Sequence, residues 1–144
     1  MSIEFLPHTA DVKIKVTADS LESLFKEAVA ALYQYLKPKA KVKKPKRQGL
    51  PQSVIKQVKL QAFDLTSLLI DFLSEILSLT YIEKMKFQVR QIKLIPSDPG
   101  IELKAVLSGE RFEQLEDDIK AVTYHQAEMK KIKGGWKAVF IVDV

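Results

Sequence analysis

Alternating hydrophobic and polar residues mark the first strand of the chain. Between Val12 and Val16 every second residue is apolar and the two intervening residues are lysines. This pattern is typical of a strand with one buried face and one solvated face. His8, Thr9 and Asp11 precede the alternation. Strand ends often carry functional groups, but Asp is also common in turns, so both interpretations of Asp11 stay open at this point.

Two segments have helical periodicity. Apolar residues recur at three- and four-residue spacing after Asp19, which has the capping-box spacing to Glu22, so we expect Asp19 to cap the first helix. Asp64 is expected to cap the second helix, which carries a broad apolar stripe. Between the helices, alternation over residues 58–62 predicts a second strand.

The rest of the chain is typical of consecutive strands. They are predicted at residues 87–95, 101–107, 121–132 and 136–142, separated by Pro- and Gly-containing turns. A broken period between Val89 and Ile92 predicts a bulge, and Gly134-Gly135 predicts a tight hairpin. The last strand is apolar at both parities, which indicates an interior strand.

These elements predict the fold class. We expect an α+β fold in which two helices pack on a mainly antiparallel β-sheet, in the order β-α-β-α-β-β-β-β after a short N-terminal segment. A length of 144 residues predicts one domain, residues 1–144. There are no cysteines, so disulfides, thiolate metal sites and a Cys nucleophile are excluded. No signal peptide or membrane-spanning apolar run is evident, so we expect a cytoplasmic protein with no membrane contact.

The positive charge is concentrated in one segment. The net charge is +5, and residues 37–47 carry seven Lys or Arg and no acid, which leaves sixteen basic against eighteen acidic residues elsewhere. Such a run can contact phosphates through counterion release. It can equally be a solvated loop in which Pro38 and Pro45 oppose regular structure. We predict a basic loop at about residues 37–52.

Acidic residues lie along the second helix. Asp64, Asp71 and Glu75 are followed by no basic residue before Lys84. Asp71 and Glu75 are four residues apart and share a helical face. This face is either simply solvated or a negative surface that attracts a cation or a basic partner.

The end of the chain carries a possible oxygen-ligand site. The final strand ends in Asp143-Val144, so a side-chain carboxylate and the terminal carboxylate stand side by side. If the first and last strands are antiparallel neighbours, Asp11 and Asp143 meet. With only two histidines in the chain, oxygen ligands for Ca²⁺ or Mg²⁺ fit better than a His-rich transition-metal site. Lys120, Thr123 and His125 lie early in the preceding strand, and no catalytic motif assigns a catalytic residue.

Four motifs together resemble those of the archease family. They are HTADV near the N-terminus, LLIDFLSEIL in the second helix, KAVTYH late in the chain and GGWKAVFIVDV at the end. The resemblance implies a small α+β activator of an RtcB-type RNA ligase, which acts in tRNA splicing and RNA repair. Such a protein promotes ligase guanylylation and multiple turnover, and is not itself an enzyme.

The resemblance also implies roles for individual residues. Asp11, Asp143 and Val144 match the family's metal site, with Ca²⁺ as the expected ion and Mg²⁺ or Mn²⁺ as alternatives; GTP and Mn²⁺ belong to the partner ligase. Lys120 matches the lysine linked to activation. Further expected activation or partner-contact residues are His8, Asp71, Glu75 and His125. Four positions differ from the residues that are common in the family, and none of them is a proposed ligand: Pro7, Phe72, Ser74 and Gln126.

Two other functions remain open at this stage. One is an RNA-binding or chaperone-like modulator of tRNA-processing or tRNA-modifying enzymes, with tRNA contacting the basic loop. The other is a metal-dependent hydrolase built on the same carboxylates, which lacks an evident general base.

Overall fold

The elements follow the predicted order, with two short strands in addition. The computed structural model describes residues 10–40 and 53–144. The elements are β1 (Asp11–Ala18), α1 (Leu21–Leu36), β2 (Pro38–Lys39), β3 (Ser53–Ala62), α2 (Leu65–Glu83), β4 (Met85–Pro96), β5 (Ile101–Arg111), β6 (Gln114–Leu115), β7 (Ala121–Ile132) and β8 (Gly135–Asp143). The predicted α+β class and element order are confirmed.

The strands of the described part of the chain form three antiparallel sheets. One contains β1, β8 and β7 in that order, a second contains β3, β5 and β4, and the third contains β2 and β6. The last strand, β8, is therefore the centre of its sheet, as its apolar residues at both parities predicted. Nearly the whole chain separates β1 from the strand with which it pairs.

Both helices pack against both three-stranded sheets. Large side chains fill the shared core, with Phe25 and Phe72 at the helix–helix contact, 6.1 Å between ring centroids, and Phe87 and Phe140 from the sheets. Burial of each such ring stabilises the fold by roughly 1.5–3 kcal/mol. By length and composition α2 could also cross a membrane, with a mean hydropathy of 1.5, but a core helix of this kind meets the same criterion.

A hydroxyl in this core joins three elements. The Tyr33 hydroxyl of α1 lies 2.7 Å from the Thr80 hydroxyl of α2 and accepts a 2.9 Å hydrogen bond from the Phe87 N–H of β4. Thr80 in turn donates to the Ile76 carbonyl, also at 2.7 Å. Burial raises the pKa of Tyr33, and its two hydrogen bonds oppose that rise. The buried polar groups thus satisfy one another.

The first helix cap differs from the prediction. Ser20, not Asp19, is the N-cap, and its side chain accepts a hydrogen bond from the Ser23 N–H at 3.1 Å. The reason is geometric: the helix begins at Leu21, so the Ser20 hydroxyl is the group that reaches the first-turn amides. The prediction for Asp64 is confirmed, since its carboxylate accepts from the Ser67 N–H at 2.7 Å.

The beginning of the basic segment is ordered, contrary to the expectation that Pro38 would prevent regular structure. Pro38 and Lys39 form β2, because proline is tolerated at the first position of a short strand. The Lys39 ammonium lies 2.5 Å from the Glu116 carboxylate, and Lys37 lies 3.5 Å from Asp117. Residues 41–52 of the predicted basic loop lie outside the described residues.

The predicted bulge and hairpin are both present. The register between β4 and β5 shifts between Val89 and Gln91, as the broken period indicated. Gly134, at φ 82°, lies in the turn between β7 and β8, where a positive φ favours glycine.

Candidate functional site

The acidic ends of β1 and β8 lie directly opposite each other. Asp11 pairs with Asp143 in the antiparallel register, and Ala121 at the start of β7 pairs with Asp143 from the other side. Directly opposed residues in an antiparallel sheet project from the same face, with their Cβ atoms about 4.5–5.5 Å apart. The first and last strands are therefore neighbours, which was the condition for an oxygen-ligand site.

Backbone hydrogen bonds fix three chain segments at this end of the sheet. The Val144 N–H donates to the Ala10 carbonyl at 2.7 Å, and the Lys120 N–H donates to the Asp143 carbonyl at 2.6 Å. Val144 is half-buried and packs against the core. We call the group formed by Asp11, Asp143 and Val144 the strand-end site. Its backbone is held by regular sheet structure and not by a loose loop.

One carboxylate oxygen of the strand-end site is orphaned. Asp11 is half-buried, and its Oδ1 is buried with no hydrogen-bond partner in the described part of the chain, whereas Asp143 is exposed. Removing a carboxylate oxygen from water without a partner is costly, so such an atom calls for a cation, a water or another donor.

Thr123 is a second orphan on the same face. Its Oγ1 is buried without a hydrogen-bond partner in the same described residues, and it pairs with Ile141, two positions before Asp143. The sequence placed Thr123 early in the strand but gave it no role. Thr123 lies two residues after Ala121, which pairs with Asp143, so its side chain projects from the same face of the sheet as that of Asp143. This could have been inferred from the sequence once the strand order was known.

The oxygen atoms of this site are of the types that bind hard cations, although they are few. Two carboxylates, a hydroxyl and the main-chain or terminal oxygens of Val144 are the ligand types that Ca²⁺ and Mg²⁺ prefer. Within residues 10–40 and 53–144 there is no group of three or more His, Cys, Asp or Glu side chains that could hold an ion. His8 lies outside the described residues. Water would have to complete the coordination of any ion held by Asp11 and Asp143.

The backbone of Lys120 lies beside the strand-end site, because its N–H donates to the Asp143 carbonyl. Two hydrogen bonds of Tyr81 fix the residues that precede Lys120. Tyr81 of α2 donates a 3.0 Å hydrogen bond to Asp118 and accepts one, also 3.0 Å, from the Ile119 N–H. These bonds hold the segment before β7 against the helix. The exposed Lys120 borders a groove of about 420 Å³ between β7 and α2, together with Ser78 and Ile82 of the helix.

The other predicted contact residues form a separate group around a bulge in β7. The β7–β8 register shifts between Thr123 and Glu128, so residues 124–127 bulge from the strand, with Gln126 at φ 55°. The exposed Tyr124 hydroxyl donates to the Asp71 carboxylate of α2, and this bond raises the pKa of Tyr124. His125 is exposed in the same bulge.

The structure therefore places the predicted site residues in two groups, one at the strand-end site and one at the bulge of β7. Lys120 joins the strand-end site through the backbone, whereas Asp71 and His125 belong to the bulge. Glu75 is exposed one helical turn after Asp71. Tyr124, as the partner of Asp71, was not predicted; the KAVTYH motif contained it, but the contact joins elements that are distant in sequence.

Comparisons with known proteins agree on one family. The sequence profile of the Archease protein family matches residues 3–144. The protein archease of Methanosarcina mazei is 36% identical over 146 residues, covering 98% of this chain and 94% of the relative. The protein archease of Pyrococcus abyssi is 32% identical, with coverages of 98% and 97%.

Solved structures have the same fold. The solution structure of protein 1598 of Methanobacterium thermoautotrophicum aligns with a TM-score of 0.71 at 26% identity, covering 98% of this chain and 97% of that one. The crystal structure of an archease of Thermotoga maritima, described as a possible chaperone, gives a TM-score of 0.65 at 19% identity, with coverages of 100% and 98%. At that identity the second likeness shows the fold alone.

Proposed function

The chain belongs to the archease family, and from this premise we propose that it is a non-catalytic, metal-binding activator of an RtcB-type RNA ligase. In this proposal it promotes ligase guanylylation and multiple turnover during tRNA splicing and RNA repair. GTP and Mn²⁺ are bound by the ligase, and the proposal includes a cytoplasmic location.

The observation that carries the proposal is the register pair of Asp11 and Asp143 with its orphaned Oδ1 atom. Two carboxylates held on one face repel each other unless a cation or protons compensate them. Asp11, Asp143 and an oxygen of Val144 would hold Ca²⁺, or Mg²⁺ or Mn²⁺ in its place. A bound hard cation would supply positive charge that attracts phosphate oxygens or a partner's carboxylates.

The chain's own residues would then make the contact with the ligase. Lys120 offers an ammonium that can bind a phosphate or an acidic surface but cannot ligate a metal while protonated. His8, Asp71, Glu75 and His125 are proposed as further partner contacts. The Tyr124–Asp71 hydrogen bond would hold the bulge against α2, so that His125 is presented from a fixed backbone.

The test is ligase turnover with GTP and Mn²⁺ supplied, in the presence and absence of this protein. Wild-type protein is expected to increase turnover, and Asp11→Asn and Asp143→Asn are each expected to reduce that increase at least tenfold. Asp19→Asn is the matched control, because Asp19 is an exposed aspartate outside the site. Activation by both site variants at the wild-type level would contradict the metal-site proposal.

The alternative function is an RNA-binding or chaperone-like modulator of tRNA-processing or tRNA-modifying enzymes. The description of the Thermotoga maritima protein as a possible chaperone motivates it, as does the basic segment 37–47 with tRNA as the expected contact. Activity on a tRNA-modifying enzyme without any effect on ligase turnover would favour this alternative.

A further inference from the structure

Three lysines form a row across the β3-β5-β4 sheet. Lys104 of β5 pairs directly with Lys59 of β3 on one side and with Lys93 of β4 on the other. The residues that alternate with them, such as Leu103 and Ala105, are buried in the core, so the lysines project from the opposite, solvated face. We call the row of Lys59, Lys93 and Lys104 the lysine face.

The lysine face is incompletely neutralised. In the part of the chain that the structure describes, its ion-pair partner is Glu102, which lies 3.5 Å from Lys104 and 4.0 Å from Lys59. The ammonium-bearing side chains of Lys59 and Lys104 are 69% and 53% exposed, so solvent screens both pairs. Arg90 adds a fourth cation from the β4 bulge, where its Nε donates to the Ser108 hydroxyl at 2.7 Å.

Protection of sheet edges does not account for this arrangement. Like charges directly opposite each other destabilise a sheet. Lysines on edge strands can repay that cost by preventing pairing with other chains, and β3 and β4 are edge strands. Lys104, however, lies on the central strand β5, where there is no edge to protect. Edge protection therefore leaves the position of Lys104 unexplained.

We propose that the lysine face binds the phosphate backbone of folded or double-stranded RNA. Protein interfaces are depleted in lysine and usually have an aromatic or apolar centre. The two rows that flank the lysines are mostly polar: Gln57, Val106 and Gln91 on one side, and Gln61, Glu102 and Ile95 on the other. Within the paired rows of this face, the described side chains include no aromatic ring on which unpaired bases could stack, and the exposed Phe63 follows the end of β3. The glutamine amides can donate to phosphates or 2′-hydroxyls. The choice of RNA rests on the proposed function.

The experiment compares two triple variants with equal loss of charge. The test variant replaces Lys59, Lys93 and Lys104 with Gln, and the control replaces the exposed Lys130, Lys131 and Lys133 near the β7–β8 hairpin with Gln. Binding of an RNA hairpin is measured over a salt titration, with thermal melting as a check that both variants fold. Each lost phosphate contact lowers the magnitude of the log–log salt slope by roughly 0.7–0.9.

The test variant is expected to bind the RNA at least tenfold more weakly, with the magnitude of the salt slope reduced by roughly 2–3, since three contacts are removed. The control is expected to bind as the wild type does. Equal losses in both variants, or no RNA binding by the wild-type protein, would overturn the proposal. Normal RNA binding by the test variant with impaired ligase activation would also overturn it, and would assign the face to an acidic protein surface.

The two proposals fail separately in this design. The lysine substitutions are expected to weaken RNA binding by the same factor in the wild-type and Asp11→Asn backgrounds, since Asp11 lies on the other three-stranded sheet. If no variant affects ligase turnover but the lysine variant alone loses RNA binding, the ligase proposal fails and the RNA-binding face stands.

Discussion

Because the Asp11 Oδ1 has no hydrogen-bond partner in the described residues, we expect substitution of Asp11 to change the thermal stability as well as the activity. Replacement of Asp11 by Asn removes the charge beside Asp143, so in excess chelator the variant is expected to melt at or above the wild-type temperature. Addition of Ca²⁺ is expected to stabilise the wild type by about 2.7 kcal/mol at a hundredfold excess over the dissociation constant. The variant should show no such increase.

Differential scanning fluorimetry with a Ca²⁺ titration measures both effects, and Asp19→Asn again serves as the control. A full Ca²⁺-induced rise in the melting temperature of Asp11→Asn would show that any bound ion lies elsewhere.

The Tyr124–Asp71 hydrogen bond predicts a change in the titration of the tyrosine. The carboxylate raises the pKa of Tyr124 above 10, because it accepts a hydrogen bond from the protonated hydroxyl and repels the tyrosinate. The folded state therefore holds this proton more tightly than the unfolded chain does. Stability from this bond is complete below pH 10 and is lost as the pH rises through the pKa of the folded state.

Asp71→Asn is expected to return the pKa of Tyr124 toward its ordinary value, and Glu75→Gln, one turn away, should leave it unchanged. Absorbance of tyrosinate during an alkaline titration, with Tyr124→Phe to identify the signal, measures the shift. An unchanged titration in Asp71→Asn would mean that the contact is not formed in solution.

At the scale of the elements, the hydroxyl shared by α1, α2 and β4 connects the helices to the sheet. Tyr33→Phe would leave the Phe87 N–H without its buried partner and would remove the bond to Thr80. We expect a loss of roughly 1–3 kcal/mol in the free energy of unfolding, because the desolvation cost of the orphaned donor is no longer offset. The denaturant m-value should stay the same, since the surface exposed on unfolding is unchanged.

Tyr35→Phe makes the same chemical change at a half-buried position of the same helix and is the matched control. Urea unfolding of both variants distinguishes a specific bond from a general effect of losing a hydroxyl. Equal losses from the two variants would contradict the role given to Tyr33.

Local features of the elements could be predicted because their causes are local. The bulge after Val89 follows from a broken period, and the Asp64 cap follows from its place before an apolar stripe. The first cap was predicted one residue too early because Asp19 and Ser20 are both good capping residues, and only the observed start at Leu21 decides between them.

At the scale of the molecule, the sequence could give element order but not the pairing of distant elements. The meeting of Asp11 and Asp143 was predicted only on the condition that their strands are neighbours, because alternation does not encode strand order. The Tyr124–Asp71 bond and the lysine face depend on contacts between separate elements in the same way. Three lysines in three strands look like ordinary solvated residues until the register aligns them.

The central position of β8 also has a consequence for how the protein is made. β1 is synthesised before its partner strand β8, so every element between them must be made before their sheet can close. Non-local pairing of this kind is slow to form. Until then the nascent β1 is an open template for other chains, and Lys13 and Lys15 place charge at alternate positions along it. Charge at these positions opposes the pairing of β1 with other chains while β8 is absent.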